Sequence, residues 1–317
     1  MKTVKNYLSL IKFSHTIFAM PFAMIGFVLA AIGPAKSSGT SWLASLHSEY
    51  QATAWTLQGK EKNPLWLSFI LVVLCMVFAR SAAMAFNRYL DRQFDARNPR
   101  TAIREIPAGI LKADSVLWFT IVCSLLFVVC CFFINRICFY LSPVALFVIL
   151  FYSYTKRFTA LCHLVLGLGL SLAPIGAYLA VTGEFHWLPI LFSLAVIFWV
   201  SGFDIIYALQ DEEFDKSNDL YSIPARLGKA RALRVSEVLH LCSFLCVVAA
   251  GIYGKFHVLY WAGVAVFAGM LVYQHSLVKP HDLRRVNIAF MTANGIASVV
   301  FAVLVIADLL FLPYLHW

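Results

Sequence analysis

The sequence predicts an all-α polytopic membrane protein of nine transmembrane helices, a single domain over residues 1–317, and three observations carry that reading. The 317 residues are 61% hydrophobic and only 13% charged, with a mean hydropathy of +0.80, which is more apolar surface than a soluble core can hide. Nine apolar windows each approach the ~20 residues that a helix needs to cross the hydrocarbon core. Basic residues collect in alternate loops, the pattern that orients spans in a bilayer. The net charge of +9 does not indicate a nucleic-acid partner, because no basic face with interleaved stacking aromatics is present. The expected surroundings are membrane lipid.

Taken in order, the first window, near 14–33, follows Lys2, Lys5 and Lys12 and imitates a secretory signal peptide, but the many later spans favour a retained first helix. A polar stretch at about 34–63 carries Ser, Thr, Gln, Lys and Glu around Trp42 and Trp55 and reads as an outer-side insertion, either an interfacial helix or a loop. The next windows lie near 64–86, 114–133, 137–154, 160–182 and 187–208, followed by 232–253, 256–277 and 289–312. Connections as short as those around Arg136 and Gly254-Lys255 predict tight antiparallel pairs. One side of the membrane receives Lys2, Lys5 and Lys12, then Arg88, Arg92, Arg97, Arg100, Arg104 and Lys112, then Lys156 and Arg157. Lys216, Arg226, Lys229, Arg231, Arg234, Lys279, Arg284 and Arg285 fall on the same side. The other side holds Lys36, Lys60, Lys62, Arg136 and Lys255, so the richer side is expected to be cytoplasmic. The eight cysteines fall nearly all within apolar runs without a C-x-x-C pair and read as small buried hydrophobes.

Chemistry is expected where apolar runs meet basic loops. Asn87-x3-Asp91-x3-Asp95 and Tyr207-x3-Asp211-x3-Asp215, with Asp204 one turn earlier, each place polar side chains four apart, which stacks them on one helix face. Carboxylates at a membrane boundary are costly, so two such columns mark a site. Asn87, Asp91 and Asp95 suffice for one magnesium ion, which takes oxygen ligands from one or two carboxylates, water and substrate phosphate. Crowded carboxylates repel unless divalent ions and a cationic rim relieve them, and the ligand this invites is a diphosphate. Arg100 and Arg104 are placed to grip phosphate oxygens, and Lys156 and Arg157 fit either that role or ordinary topology anchors. Asp204, inside an apolar span, needs neutralising by protonation, a Tyr or Arg partner, or a metal. His163, His240, His257 and His275 read as structural. Arg80 fits either a helix-to-helix hydrogen bond or contact with an acceptor carboxylate.

Asn87-x3-Asp91-x3-Asp95 with Pro99-Arg100-Thr101, Tyr154-x-Lys156-Arg157-Phe158-Thr159, and Asp204-x2-Tyr207-x3-Asp211-x3-Asp215 together resemble the UbiA superfamily of intramembrane aromatic prenyltransferases. The resemblance spans about 15–310. His15-Thr16-Ile17-Phe18-Ala19-Met20-Pro21-Phe22 and Ser222-Ile223-Pro224-Ala225-Arg226-Leu227-Gly228 resemble its 4-hydroxybenzoate polyprenyltransferase-like branch. The resemblance implies nine helices around a central cavity and two Mg2+ ions bridging a polyprenyl diphosphate, whose prenyl group passes to an aromatic acid. It assigns one ion to Asn87, Asp91 and Asp95 and the other to Asp211 and Asp215. Arg88, Arg100, Arg104, Lys156 and Arg157 become diphosphate partners, and Asp204 and Tyr207 lie near the reacting carbon, with either Asp204 or Asp211 as the base. The implied setting is respiratory quinone synthesis, ubiquinone or menaquinone, in a bacterial-type plasma (inner) membrane with the site facing the cytoplasm.

Two other classes use intramembrane acids. A cation-coupled transporter places them near the midplane at broken helices, not as columns at one surface. A phosphotransferase for nucleotide-activated alcohols carries Asp-Gly before Ala-Arg, and Asp95-Ala96-Arg97 lacks that glycine. Other prenyl acceptors, such as haem, a chlorophyll-like ring or a lipid alcohol, stay open.

Overall fold

The computed structural model describes residues 2–11, 18–38 and 63–311. Its helices are α1 (Lys2–Leu10), α2 (Met20–Ser38), α3 (Leu65–Leu90), α4 (Arg92–Arg97), α5 (Ala113–Ile134), α6 (Arg136–Thr155), α7 (Cys162–Thr182) and α8 (Trp187–Ala208). A 3-10 turn (Leu209–Asp211) then leads to α9 (Glu212–Ser217), α10 (Ile223–Leu227), α11 (Lys229–Tyr253), α12 (Val258–Leu277), a π-helical turn (Ile288–Ala293) and α13 (Asn294–Phe311). Among the described residues, eight helices are long and apolar enough to cross a membrane, and they match the sequence windows from 64 onward. The first window corresponds to α2, whose apolar stretch is Met20–Ile32; residues 14–17 of that window lie outside the described residues. So does most of the polar insertion, 39–62.

Helix α2 is the hinge of the packing. One side of it, Phe22, Ile25 and Leu29, with Phe18 just before the helix, joins Trp199 of α8, Phe267 of α12 and Phe301 of α13 in the largest buried cluster. The opposite side, Ala23, Phe27 and Ala30, packs on Val72 of α3, Cys130 of α5 and Ala177 of α7. Close approach is set by Gly26, where an added Cβ would strike the Pro174 carbonyl of α7, and by Gly202 of α8 against the His240 ring of α11. Small residues at such crossings let helices pack by van der Waals contact where lipid removes the hydrophobic drive. Large apolar side chains line the outside, including Trp118, Leu125, Val129 and Phe133 on α5 and Tyr140, Val144 and Phe147 on α6.

Polar residues within the bundle close helix ends. Asn135 caps α6, its Oδ1 accepting from the Cys138 N–H at 2.9 Å while its Nδ2 donates to the Leu179 carbonyl at 2.8 Å. Asp308 of α13 is 1% exposed and accepts from the backbone N–H groups of His257 and Tyr260 at 2.9 and 3.1 Å, capping α12 from a neighbouring helix. These contacts satisfy amide groups that have no partner within their own helix. The C-terminal ends of α3, α6, α8 and α12 and the N-terminal ends of α5, α7 and α11 share one face, where the Tyr221 N–H donates to the Lys156 carbonyl at 2.8 Å. Ile205, Ile206, Leu209, Ile223, Leu233 and Val286 form a separate cluster beneath those loops.

Candidate active site

Neither acidic segment is one uninterrupted helix. Asp91 closes α3 with φ −89° and ψ 6°, and Asp211 precedes α9 with φ −104° and ψ 6°. Both middle acids therefore occupy the sparsely allowed bridge region, where many active-site residues sit. The break replaces the straight columns expected from spacing and turns each third acid inward: Asp95 is 5% exposed and Asp215 0%. The two segments share this geometry although the residues around them differ.

The structure brings the predicted site residues together through four ion pairs. Arg100, from the loop after α4, crosses to the second segment and grips Asp211 with two nitrogens, Nε at 3.0 Å from Oδ1, while its third nitrogen donates to the Tyr207 hydroxyl at 3.0 Å. Asn98 Nδ2 donates a hydrogen bond to Asp211 Oδ1 at 3.1 Å. Arg104 pairs with Asp95 at 2.6 Å. The turn after α6 contributes one cation to each segment, Arg157 to Asp91 at 2.9 Å and Lys156 to Asp215 at 2.7 Å. Asn87 donates to Asp91 at 3.0 Å. Arg88 is buried with its Nε unpartnered, the one predicted diphosphate residue without a carboxylate partner among the described residues.

Burial pushes the Asp91 carboxyl above its ordinary range, and Arg157 works against that shift. Burial also disfavours the charge on Arg100 and Lys156, but hydrogen bonds and charge from Asp211 and Asp215 outweigh it and leave both groups raised. Arg100 and Lys156 thus keep their charge in a partly desolvated pocket.

Asp204 is hydrogen-bonded by a residue read as structural from sequence. His163 Nδ1 lies 2.6 Å from Asp204 Oδ2, and the Ile223 N–H donates to His163 Nε2 at 3.3 Å. An accepting Nε2 leaves the ring proton on Nδ1, directed at the carboxylate. Ser222, in the same loop, donates to Asp215 at 2.8 Å and caps α10. Sequence spacing gave no sign of His163, since 41 residues separate it from Asp204. The Tyr207 ring packs at a tilt of 32°, 4.3 Å from the ring of Phe290 in the π-helical turn, and Asn294 holds that turn by donating to the Phe290 carbonyl and accepting from Trp199 Nε1.

The donor set suits a hard divalent cation. Asp95 Oδ2 is buried with no hydrogen-bond partner, and Asn87, which donates through its amide nitrogen, keeps its carbonyl oxygen. Both are oxygen ligands of the kind magnesium takes. Among the described residues no three acids, histidines or cysteines stand at metal-holding spacing, and each acid is drawn toward its own arginine or lysine.

Fold and site together define a polytopic helical membrane protein that gathers acids and cations at one end of its bundle. The chain belongs to the UbiA prenyltransferase family, whose model matches residues 52–312. It is an integral membrane enzyme that transfers prenyl groups. The chain is 30% identical over 256 residues to a 4-hydroxybenzoate octaprenyltransferase of Tolumonas auensis, covering 80% of this chain and 89% of that one. It is 29% identical over 237 residues to the enzyme of that name from Francisella tularensis subsp. novicida, covering 75% and 83%. In structure it resembles the apo UbiA homolog from Aeropyrum pernix K1, with TM-score 0.72, 25% identity and coverage of 93% and 96%. It shares its fold with a UbiA homolog from Archaeoglobus fulgidus bound to GPP and Mg2+, at TM-score 0.67, 18% identity and coverage of 96% and 99%.

Proposed function

We propose that the chain transfers a polyprenyl group from a polyprenyl diphosphate to an aromatic acid, 4-hydroxybenzoate or a naphthoate-type precursor, in respiratory quinone synthesis. The observation that carries this is the cross-linking of two acidic segments by Arg100 and by the Lys156–Arg157 turn. Such a site holds cations on carboxylates that would be free to bind phosphate oxygens if a metal held the acids. Asn87, Asp91 and Asp95 would hold one magnesium ion, Asp211 and Asp215 the second, and bound magnesium supplies charge neutralisation for the departing diphosphate. Arg88, Arg100, Arg104, Lys156 and Arg157 bind and orient phosphate oxygens through charge-assisted hydrogen bonds. The Tyr207 ring, fixed by Phe290 and Arg100, lies beside the developing allylic cation. Asp204, held by His163, accepts the proton lost from the acceptor ring.

The names of the Tolumonas and Francisella relatives and the GPP and Mg2+ bound to the Archaeoglobus homolog support the reading. The basic-rich end carrying the site is the cytoplasmic one of a bacterial-type plasma membrane, and residues 1–317 act as one domain with an outer insertion at about 34–63. The test is to incubate purified protein with Mg2+, geranyl diphosphate and a panel of hydroxylated benzoic and naphthoic acids and to weigh the products. A prenylated aromatic acid is expected. Prenylation of haem or a lipid alcohol instead, with no aromatic acid accepted, refutes it.

A further inference from the structure

Ser222-Ile223-Pro224-Ala225 opens a motif that the proposed reaction leaves without a role, and it is where two ends of the site meet. Pro224 has no N–H, and the Ala225 N–H is taken by the Ser222 hydroxyl at 3.2 Å. The Ile223 N–H, without a partner in its own short helix, donates to His163 Nε2 at 3.3 Å. Ser222 itself donates to Asp215 Oδ2 at 2.8 Å, and the Tyr221 N–H donates to the Lys156 carbonyl at 2.8 Å. Three consecutive residues therefore tie the imidazole of His163 to a proposed metal ligand and to the turn that carries the phosphate-binding cations.

A backbone N–H only donates, so His163 Nε2 accepts and the neutral imidazole carries its proton on Nδ1. That proton is directed at Asp204 Oδ2, 2.6 Å away. The two side chains are held in register by the crossing of α7 and α8. At Gly167, one turn after His163, an added Cβ would strike the Ile197 carbonyl of α8, and the Ser201 hydroxyl, three residues before Asp204, lies 3.1 Å from the His163 carbonyl. His163 is 2% exposed, whereas the Asp204 side chain is 25% exposed. Asp204 keeps its second oxygen, since Oδ1 accepts no hydrogen bond among the described residues. An imidazole held in this way takes a second proton only by giving up the Ile223 N–H. A proton arriving at the pair therefore stays on the carboxylate.

We propose that His163 is the positioning residue of the base: its Nδ1 proton holds Asp204 Oδ2 and leaves Oδ1 as the atom that deprotonates the acceptor. This rests on the proposed reaction. After prenyl transfer the C–H bond at the alkylated ring carbon breaks, its electron pair restores the aromatic ring, and the proton bonds to Asp204 Oδ1. His163 keeps its own proton throughout. The test compares wild type with His163→Ala and with His163→Asn, whose amide nitrogen replaces Nδ1 as a donor, in transfer from geranyl diphosphate to 4-hydroxybenzoate and to its ring-deuterated form. His163→Ala is expected to lower kcat about tenfold to a hundredfold, the loss of a hydrogen bond to a carboxylate, with the KM for geranyl diphosphate unchanged. Because a misplaced base slows C–H cleavage, the variant also shows a larger rate difference between ordinary and deuterated acid than wild type does. His163→Asn recovers most of kcat and returns that difference to the wild-type value. Nitrogen NMR of the isotope-labelled, metal-free wild type, with His163 assigned by its absence from His163→Asn, reads the tautomer even where His163→Ala does not fold, and Nδ1–H is expected. An Nε2–H tautomer, or wild-type kcat in His163→Ala, overturns the assignment. A loss of kcat with neither an enlarged isotope difference nor rescue by asparagine makes His163 a structural tether and overturns it too, while the aromatic-acid reaction stands. A wild type that prenylates no hydroxylated aromatic acid overturns both.

Discussion

Asp211→Asn separates chemistry from folding. In the folded chain Asp211 accepts two hydrogen bonds from Arg100 and one from Asn98, with side-chain exposures of 31% for Arg100 and 12% for Asp211. Asparagine keeps the shape and one acceptor oxygen, so the structural loss is one partly solvated ion pair, about 1 kcal/mol after solvent screening. The catalytic loss is larger. Removing one preorganised charge from a site that stabilises a leaving group costs about 100- to 1,000-fold, or ~3–4 kcal/mol. Transfer from geranyl diphosphate, followed by product mass, should fall by at least two orders of magnitude, while the thermal unfolding midpoint in detergent moves by only a few degrees. Turnover within a few-fold of wild type would sink the assignment of Asp211 to the site. Loss of activity in step with loss of folded protein would make Asp211 a structural residue.

Three further outcomes follow from particular contacts. Asn294→Ala leaves the buried Trp199 Nε1 without its acceptor and removes the amide's hydrogen bond to the Phe290 carbonyl, and should cost about 1–3 kcal/mol in detergent unfolding; an unchanged midpoint would show that water replaces the amide. Gly26→Ala forces α2 away from the Pro174 carbonyl of α7 and should cost about 1–3 kcal/mol, whereas Gly176→Ala, whose Cβ meets nothing within 4 Å, keeps wild-type stability; equal midpoints for the two variants would contradict the packing. Because burial holds the Asp91 carboxyl above its ordinary range, the folded chain keeps a proton that the unfolded chain has released between those two values, so stability falls as pH rises through that window. Arg157→Gln removes the opposing charge and extends the window upward, and Asp91→Asn removes the slope; unfolding measured from mildly acidic to neutral pH reads both, and a slope that survives in Asp91→Asn belongs to another group.

Much of the architecture is a local property of the chain. A run of about 20 apolar residues has one low-energy conformation in hydrocarbon, because only a helix satisfies its own backbone. The eight windows from 64 to 312 therefore coincide with α3, α5, α6, α7, α8, α11, α12 and α13 within a few residues. The alternation of basic loops likewise put both acidic segments on one side, where Arg100 and the Lys156–Arg157 turn join them. Helical phase, by contrast, failed at Asp91 and Asp211. Continuous 3.6-residue spacing predicts straight columns, but the backbone breaks at both acids, and such a break depends on what the following loop binds.

By itself the sequence determined which residues cross the bilayer, which end is basic, and which oxygens and cations meet there, because hydropathy and charge act over a turn or a loop. Only the tertiary structure decided which cation pairs with which acid, that His163 fixes Asp204, and that Arg80 lines a largely apolar cavity with no counter-charge among the described residues. Those outcomes turn on side chains from segments tens of residues apart, and in a medium of low dielectric the presence or absence of one such neighbour sets the energy of a charge.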